Sequence, residues 1–384
     1  MKIVTVTLGS SSLRLDVFTV SAGTVVRDGK ASRRVETASR RVEEMCVEFL
    51  TTIGSGFGCV AHRVVHGGRR FTRSVVIDAG VEDEIAWLAP LAPLHNPPAL
   101  ACIRACREAL GPRVLQIAVF DTAFLADMPA VAASDALPPD LCQKHCIRRY
   151  GFQGLAHRAM SRRLAELSPE PPDRGGGGRL VTFQLGSGCS AAAIKSDRPL
   201  DTSMGFSPLE GLFMATRGGD LDPGIVPYLI RNTCLSIAEV EAMLSGGAGL
   251  MSMASTTDLR ALASSQDVTE PLAFDLYCYR AREYLGAYAA VLGGLDAVMS
   301  GGGVGKHVPE VRVAILGGME WCGIELDGAI NATSVGDGGR EARISTTASR
   351  VAVWVVPVDE GTILTEEALT LLGTLPSPPN GTAP

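Results

Sequence analysis

Arg63 stands inside the apolar run CVAHRVV, where an unpaired guanidinium would be costly to bury. Either an internal carboxylate meets it or a bound anion does. Arg217 is set among Gly211, Gly218, Gly219 and Gly224 and is followed by Asp220 and Asp222. A fixed cation in a glycine-rich loop suits phosphate chemistry. Asp121 ends another apolar run, VLQIAVF, and the C-terminal edge of a buried strand is where open α/β sheets place functional groups. The plainer alternative for Asp121 is a helix N-cap. Asp359 and Glu360 close a third run, RVAVWVVPV. Two glycine- and serine-rich turns complete the set: Gly9 to Ser12, with Arg14 just beyond, and Gly186-Ser187-Gly188 leading to Ser190. Both can expose backbone N–H groups to an anion, because glycine leaves no Cβ in the way. A plain polar hairpin turn is the alternative for the first.

The elements around these residues follow from periodicity. Residues 2–8 and 13–20 alternate about the first turn and predict a β-hairpin; 181–194 predicts a second strand-turn-strand unit around Gly186 and Gly188. Residues 33–52 have the pattern of an amphipathic helix, and 59–77 predict strand, Gly67-Gly68 turn, strand. A helix is expected from Ala99 to Leu110 with proline near its start, and another from about Gly151 to Leu167. The segment 168–178 is expected to be a flexible loop. Residues 225–334 are expected to be mainly helical, interrupted by a strand with a glycine turn over 296–307. A last strand over 350–361 should end at Asp359 and Glu360, followed by a short helix.

At 384 residues the chain is longer than one core usually supports, so two domains are expected. A net charge of -6, with no basic run interleaved with aromatics, argues against nucleic acid and anionic membrane as partners, so an anionic substrate must be held locally. No signal-like or bilayer-length apolar segment is present, and the expected compartment is the cytoplasm. The ten cysteines include no CxxC pair and are expected to be small reduced thiols. Hairpin, helices and apolar strand, repeated once, suggest two related halves whose glycine turns could hold a polyphosphate from both sides. That is the arrangement of the actin-like ATPase and sugar-kinase superfamily.

Several motifs in one order carry a closer resemblance. GSSSL (9–13), HRVVHGG (62–68), APLHNP (92–97), VFDTAF (119–124), YGFxGxxH (150–157), LGxGCS (185–190), DTSMGFxPLEG (201–211), TRxGDxDPG (216–224) and PxxE (357–360) together resemble the acetate kinase family. The resemblance implies an α/β fold of two duplicated actin-like (ribonuclease H-like) domains with a cleft between them. One domain would span 1–150, with a C-terminal helix near 363–373 packing back on it. The other, 151–362, would bind nucleotide and carry the homodimer interface, and 374–384 would be a disordered tail. The implied reaction is reversible transfer of the ATP γ-phosphoryl group to acetate or propionate with Mg²⁺. Arg63 and Arg217 would clamp carboxylate and phosphoryl, and Gln153 would donate to the phosphoryl. Asp121 would orient Arg217 or hold the metal, together with Glu360. Val65, Leu94, Phe152 and Pro208 would surround the alkyl end of the acid. Thr7, Ser10, Ser12, Arg14, Gln184, Gly186, Ser187, Gly188, Gly302, Gly303 and Gly305 would meet the nucleotide and its phosphates.

A carboxylate is already a nucleophile and needs no general base, so positioning and charge stabilisation suffice, and arginines provide both. The chain departs from the family pattern at Thr7 and Arg14, where asparagine and lysine are usual, and at Gln153 and Gln184, which replace histidines. Leu155 and Ala156 replace hydroxyl residues, Ser187 replaces an asparagine, and Lys306 and His307 replace an acid and an amide. These departures leave two alternatives: a carboxylate kinase with another acid or phosphoryl donor, or a nucleotide-binding protein without turnover that acts through a partner.

Overall fold

A computed structural model describes the chain except for residues 10–11, 22–23, 29–32, 37–40, 55, 168–177, 255, 266–269, 335–340 and 375–384, with backbone only at 12, 33–36 and 374. Contacts divide it into two compact units: Met1–Ala123 with Asp359–Pro384, and Phe124–Val358.

Unit 1 is built on one mixed sheet. Its strands are β1 (Lys2–Leu8), β2 (Ser12–Ser21), β3 (Thr24–Arg27), β4 (Arg33–Glu36), β5 (Phe57–Val64), β6 (Val75–Val76) and β7 (Leu115–Phe120), in the order β3-β2-β1-β5-β7-β6 with β4 also on β2. β1 and β2 form the expected antiparallel hairpin, while β1, β5 and β7 run parallel. Alternation sends Val4, Val6 and Leu8 to one face. There they pack with Leu13, Leu15 and Val17 against Met45, Cys46, Phe49 and Leu50 of helix Val42–Ile53 and Cys102 and Cys106 of helix Asn96–Leu110. Helix Glu360–Thr374 packs on β1, β5 and β7.

Unit 2 repeats the plan. β8 (Arg179–Leu185), β9 (Cys189–Lys195), β10 (Arg198–Thr202), β11 (Ala297–Gly301), β12 (Ala342–Arg343) and β13 (Ala352–Val355) run in the order β10-β9-β8-β11-β13-β12. β8 and β9 are the second antiparallel hairpin, and β8, β11 and β13 are parallel. Each sheet thus consists of an antiparallel meander, two further parallel strands and an antiparallel edge, which is the internal duplication expected from the sequence.

Four local expectations differ from the structure. Residues 33–52 are not one helix: 33–36 form β4 on the edge of β2, and the helix begins at Val42. The available backbone hydrogen bonds of β2 outweigh the helical pattern of Arg33–Glu36. β6 does not pair with β5, because β7 lies between them. The glycine run after β11 does not turn into strand but opens the short helix Gly302–His307. Gly302 has φ +79°, and a Cβ there would sit 2.2 Å from the Leu185 carbonyl oxygen, so only glycine lets the chain leave the sheet this closely. The last strand stops at Val355, and Glu360 begins a helix instead of ending a strand. The expected loop at 168–178 and tail at 374–384 lie almost wholly outside the described residues.

Candidate active site

In unit 1 three charged residues meet at the C-terminal ends of parallel strands. Arg63, on β5, has its side chain on the face opposite Val60, His62 and Val64. Its Nη2 donates to Asp121 Oδ2 at 2.7 Å, its Nη1 donates to the Leu8 carbonyl at 3.1 Å, and its Nε lies 3.7 Å from Glu360 Oε2. Asp121 directly follows β7 and its N–H donates to the Val64 carbonyl at 2.9 Å, so it ties two strand ends together and caps no helix. Burial works against the charge of Arg63, but Asp121 and Glu360 hold its pKa above the ordinary arginine value. Burial raises the pKa of Glu360; Arg63 opposes that rise and the neighbouring Asp121 adds to it.

Two carboxylates and one guanidinium leave a surplus negative charge, and Glu360 is only partly compensated. These are oxygen donors of the hard type that Mg²⁺ takes, one or two at a time, alongside water and phosphate oxygens. Among the described residues no group of three or more His, Cys, Asp or Glu side chains could cage a metal, so the pair fits an open, phosphate-shared ion better than a structural one.

The other unit 1 positions are placed as follows. Thr7 is half-buried on β1 opposite Arg14 in register, and Arg14 Nε lies 2.9 Å from the buried Asp16. Part of the Arg14 charge is therefore engaged internally. Ser10 lies outside the described residues, and Ser12 opens β2 opposite Glu36. Val65 is buried, in a segment pinned where the His66 N–H donates to Asn96 Oδ1 at 3.1 Å and Asn96 Nδ2 donates back to the His66 carbonyl at 3.0 Å. Leu94 is 68% exposed.

In unit 2 the β8–β9 turn meets the loop that carries Arg217. Cys189 Sγ contacts the Gly186 carbonyl at 3.2 Å and the Tyr277 hydroxyl at 3.1 Å, bracing the turn from below. The Ala215 N–H donates to the Ser187 carbonyl at 3.1 Å, and Asp220 accepts from the Gly211 N–H and the Tyr284 hydroxyl, both at 2.9 Å. Held this way, Arg217 donates from Nη1 to the Pro208 carbonyl at 2.6 Å. A Cβ on Gly188 would stand 2.8 Å from Arg217 Nη2 and 3.7 Å from Gln153 Nε2, so glycine is what lets the turn approach both donors. Burial lowers the pKa of Arg217, and among the described residues no carboxylate pairs with it. A half-buried guanidinium in that state is stabilised by an incoming anion.

Phe152 is buried and Pro208 half-buried. Gln184 is the last residue but one of β8, in register beside Gly301, and its Oε1 is buried without a hydrogen-bond partner among the described residues. Gly302, Gly303 and Gly305 lie on the short helix after β11. The structure thus gathers Arg63, Asp121 and Glu360 into one group, and Gln153, Gly188, Pro208 and Arg217 into another.

The acetokinase family profile matches residues 34–366. The chain belongs to the acetokinase family. It is 42% identical to the acetate kinase of Solibacter usitatus over 83% of this chain and 77% of that one. Among solved structures it resembles the acetate kinase of Porphyromonas gingivalis, 33% identical, with a TM-score of 0.84 and coverage of 97% and 99% of the two chains. A propionate kinase from Francisella tularensis is 30% identical with the same TM-score, over 95% of this chain and 98% of that one. The two repeated sheets are accordingly those of the actin-like ATPase and sugar-kinase fold expected from the sequence. No described helix is long and apolar enough to cross a membrane.

Sequence reasoning gave no role to His157 or Thr182, and read Ser190 only as part of the phosphate-facing turn; the structure links all three to Gln153. His157 lies one turn along from Gln153, with its N–H on the Gln153 carbonyl at 3.1 Å. Its Nδ1 is 2.8 Å from Thr182 Oγ1 and its Nε2 is 2.8 Å from Ser190 Oγ. The i, i+4 spacing of Gln153 and His157 is the signal that could have found the pair.

Proposed function

We propose that this member of the acetokinase family transfers the γ-phosphoryl group of ATP to the carboxylate of acetate or propionate, reversibly, giving the acyl phosphate and ADP. A carboxylate oxygen attacks phosphorus, the bond to the ADP oxygen breaks, and no proton need move. Arg217 carries this reading: a half-buried cation without a carboxylate partner among the described residues, beside a glycine turn and the Gln153 amide. Arg217 and Gln153 take charge on the equatorial oxygens of the phosphoryl group, and Arg63 takes the substrate carboxylate while Asp121 orients it. Val65, Leu94, Phe152 and Pro208 border the alkyl group. The turn Gly186–Gly188, Gln184, the Gly302–Gly305 stretch, Thr7, Ser10, Ser12 and Arg14 serve the nucleotide and its phosphates. Asp121 and Glu360 hold Mg²⁺, which when bound neutralises phosphate charge.

The reading extends to a cytoplasmic homodimer in which the second unit, Phe124–Val358, is the nucleotide-binding domain and carries the dimer interface. Hydroxylamine trapping tests the reaction. Purified protein with ATP, Mg²⁺ and acetate or propionate should yield the hydroxamate, and its absence with every C2 to C4 acid would overturn the reading. Sedimentation analysis tests the dimer, and a purely monomeric protein at micromolar concentration would exclude it.

A further inference from the structure

Gln153 has φ +57°, an uncommon conformation for a residue with a side chain, and leads into helix Gly154–Leu167. Its amide has two unlike ends, and only one suits an anion. The Nε2 end faces the Gly188 carbonyl at 3.3 Å, an oxygen that can only accept. The Oε1 end receives the Ser190 hydroxyl. Ser190 has a single proton, and it is spent on Gln153, so the contact between Ser190 Oγ and His157 Nε2 requires the proton to sit on His157. In the neutral ring Nδ1 is then the acceptor, and Thr182 Oγ1, 2.8 Å away, gives it its one proton in preference to the more distant Ala192 carbonyl at 3.4 Å. His157, Thr182 and Ser190 are all fully buried, so this order of donors is shielded from exchange with water.

We propose that Thr182, His157 and Ser190 act as positioning residues that dictate which end of the Gln153 amide faces the Gly188–Arg217 corner. The transferring phosphoryl group thereby meets an N–H and not a carbonyl oxygen. A flipped amide would place a partial negative charge against the phosphoryl oxygens. The inference rests on the phosphotransfer reading above and explains how a neutral glutamine serves there: its donor end is selected by a chain of oriented hydrogen bonds.

Steady-state kinetics of Ser190→Ala, Gln153→Ala and the double variant test the coupling. Each single change should lower kcat by ~10- to 100-fold, with KM for acid and ATP held within about twofold. The double variant should be no slower than Gln153→Ala, because Ser190 acts only through that amide. Ser190→Cys, which keeps a weak donor, should recover part of the loss. Losses that multiply in the double variant, or that appear mainly in KM, would overturn the proposal. A measurement on the unmodified protein needs neither a variant nor turnover: ¹⁵N NMR of the His157 ring should show the proton on Nε2. A ring protonated only on Nδ1 would defeat the proposal. With the Nε2 tautomer present but no acyl phosphate formed, the reaction assigned above would fall while the amide-orienting network stood.

Discussion

At the scale of the residue, the two arginines hold opposite positions. Arg63 already has Asp121 at 2.7 Å, whereas Arg217 has only the Pro208 carbonyl at 2.6 Å among its described partners. The burden of stabilising developing charge therefore falls on Arg217. Arg217→Ala should lower kcat roughly a thousandfold with little change in thermal stability, and Arg217→Lys should recover only part of that loss, because a point charge does not replace the planar fork. Steady-state assays beside melting curves check both. Glu360 makes a second prediction. Its pKa is raised by burial, so the folded state holds its proton more tightly than the unfolded chain and stability falls as pH rises through the raised value. A divalent cation offsets that cost. Mg²⁺ should raise Tm more at about pH 8 than at about pH 5, since the ordinary carboxyl pKa is ~4.3, and Glu360→Gln should remove the difference. An equal Mg²⁺ effect in wild type and variant would show that the ion binds elsewhere.

At the scale of the element, two glycines that look alike in sequence do different work. Gly188 is not at positive φ, so a Cβ there is opposed only by Arg217 Nη2 at 2.8 Å, the far end of a side chain that can move. Gly302 combines φ +79° with a Cβ position 2.2 Å from the backbone oxygen of Leu185. Gly188→Ala should displace Arg217 and reduce activity by ~10-fold or more while the protein stays stable. Gly302→Ala should cost about 2 kcal/mol or more of stability through strain. Denaturant titration with activity measured in parallel separates the two outcomes. Both hairpin turns were legible from alternation and glycine. The fate of the GGG run after β11 was not, because a strand-exit turn and a helix start share the same residues, and only the contact with Leu185 decides between them. The same holds for Arg33–Glu36, whose pattern suits a helix until the edge of β2 offers it hydrogen bonds.

At the scale of the whole molecule, acid stability depends on unit 1. His62 bonds Gln116 in the sheet, His66 lies in the loop after β5, and burial lowers both pKa values to about 4. The unfolded chain takes up protons near the ordinary value of ~6.5, so stability is fully present above that value and is lost as pH falls from about 6.5 towards 4. Tm should fall across that window, and His62→Gln should shrink the fall by roughly half if the two histidines contribute alike. A slope unchanged by the variant would place the titrating groups elsewhere.

The amino-acid sequence by itself determined the duplicated α/β plan, the family and the class of chemistry. Those depend on strand alternation, glycine turns and side-chain types, which are local properties. Tertiary structure decided which charges were already partnered and which donor faced which way. Arg63 and Asp121 are 58 residues apart, and Glu360 reaches Arg63 only because the C-terminal helix returns to the first sheet. Likewise, whether Gln153 shows a donor or an acceptor depends on three buried hydroxyl and imidazole groups that residue types do not orient. Such choices are made by long-range packing, where burial makes each unmatched proton expensive, and so they are absent from the order of the residues alone.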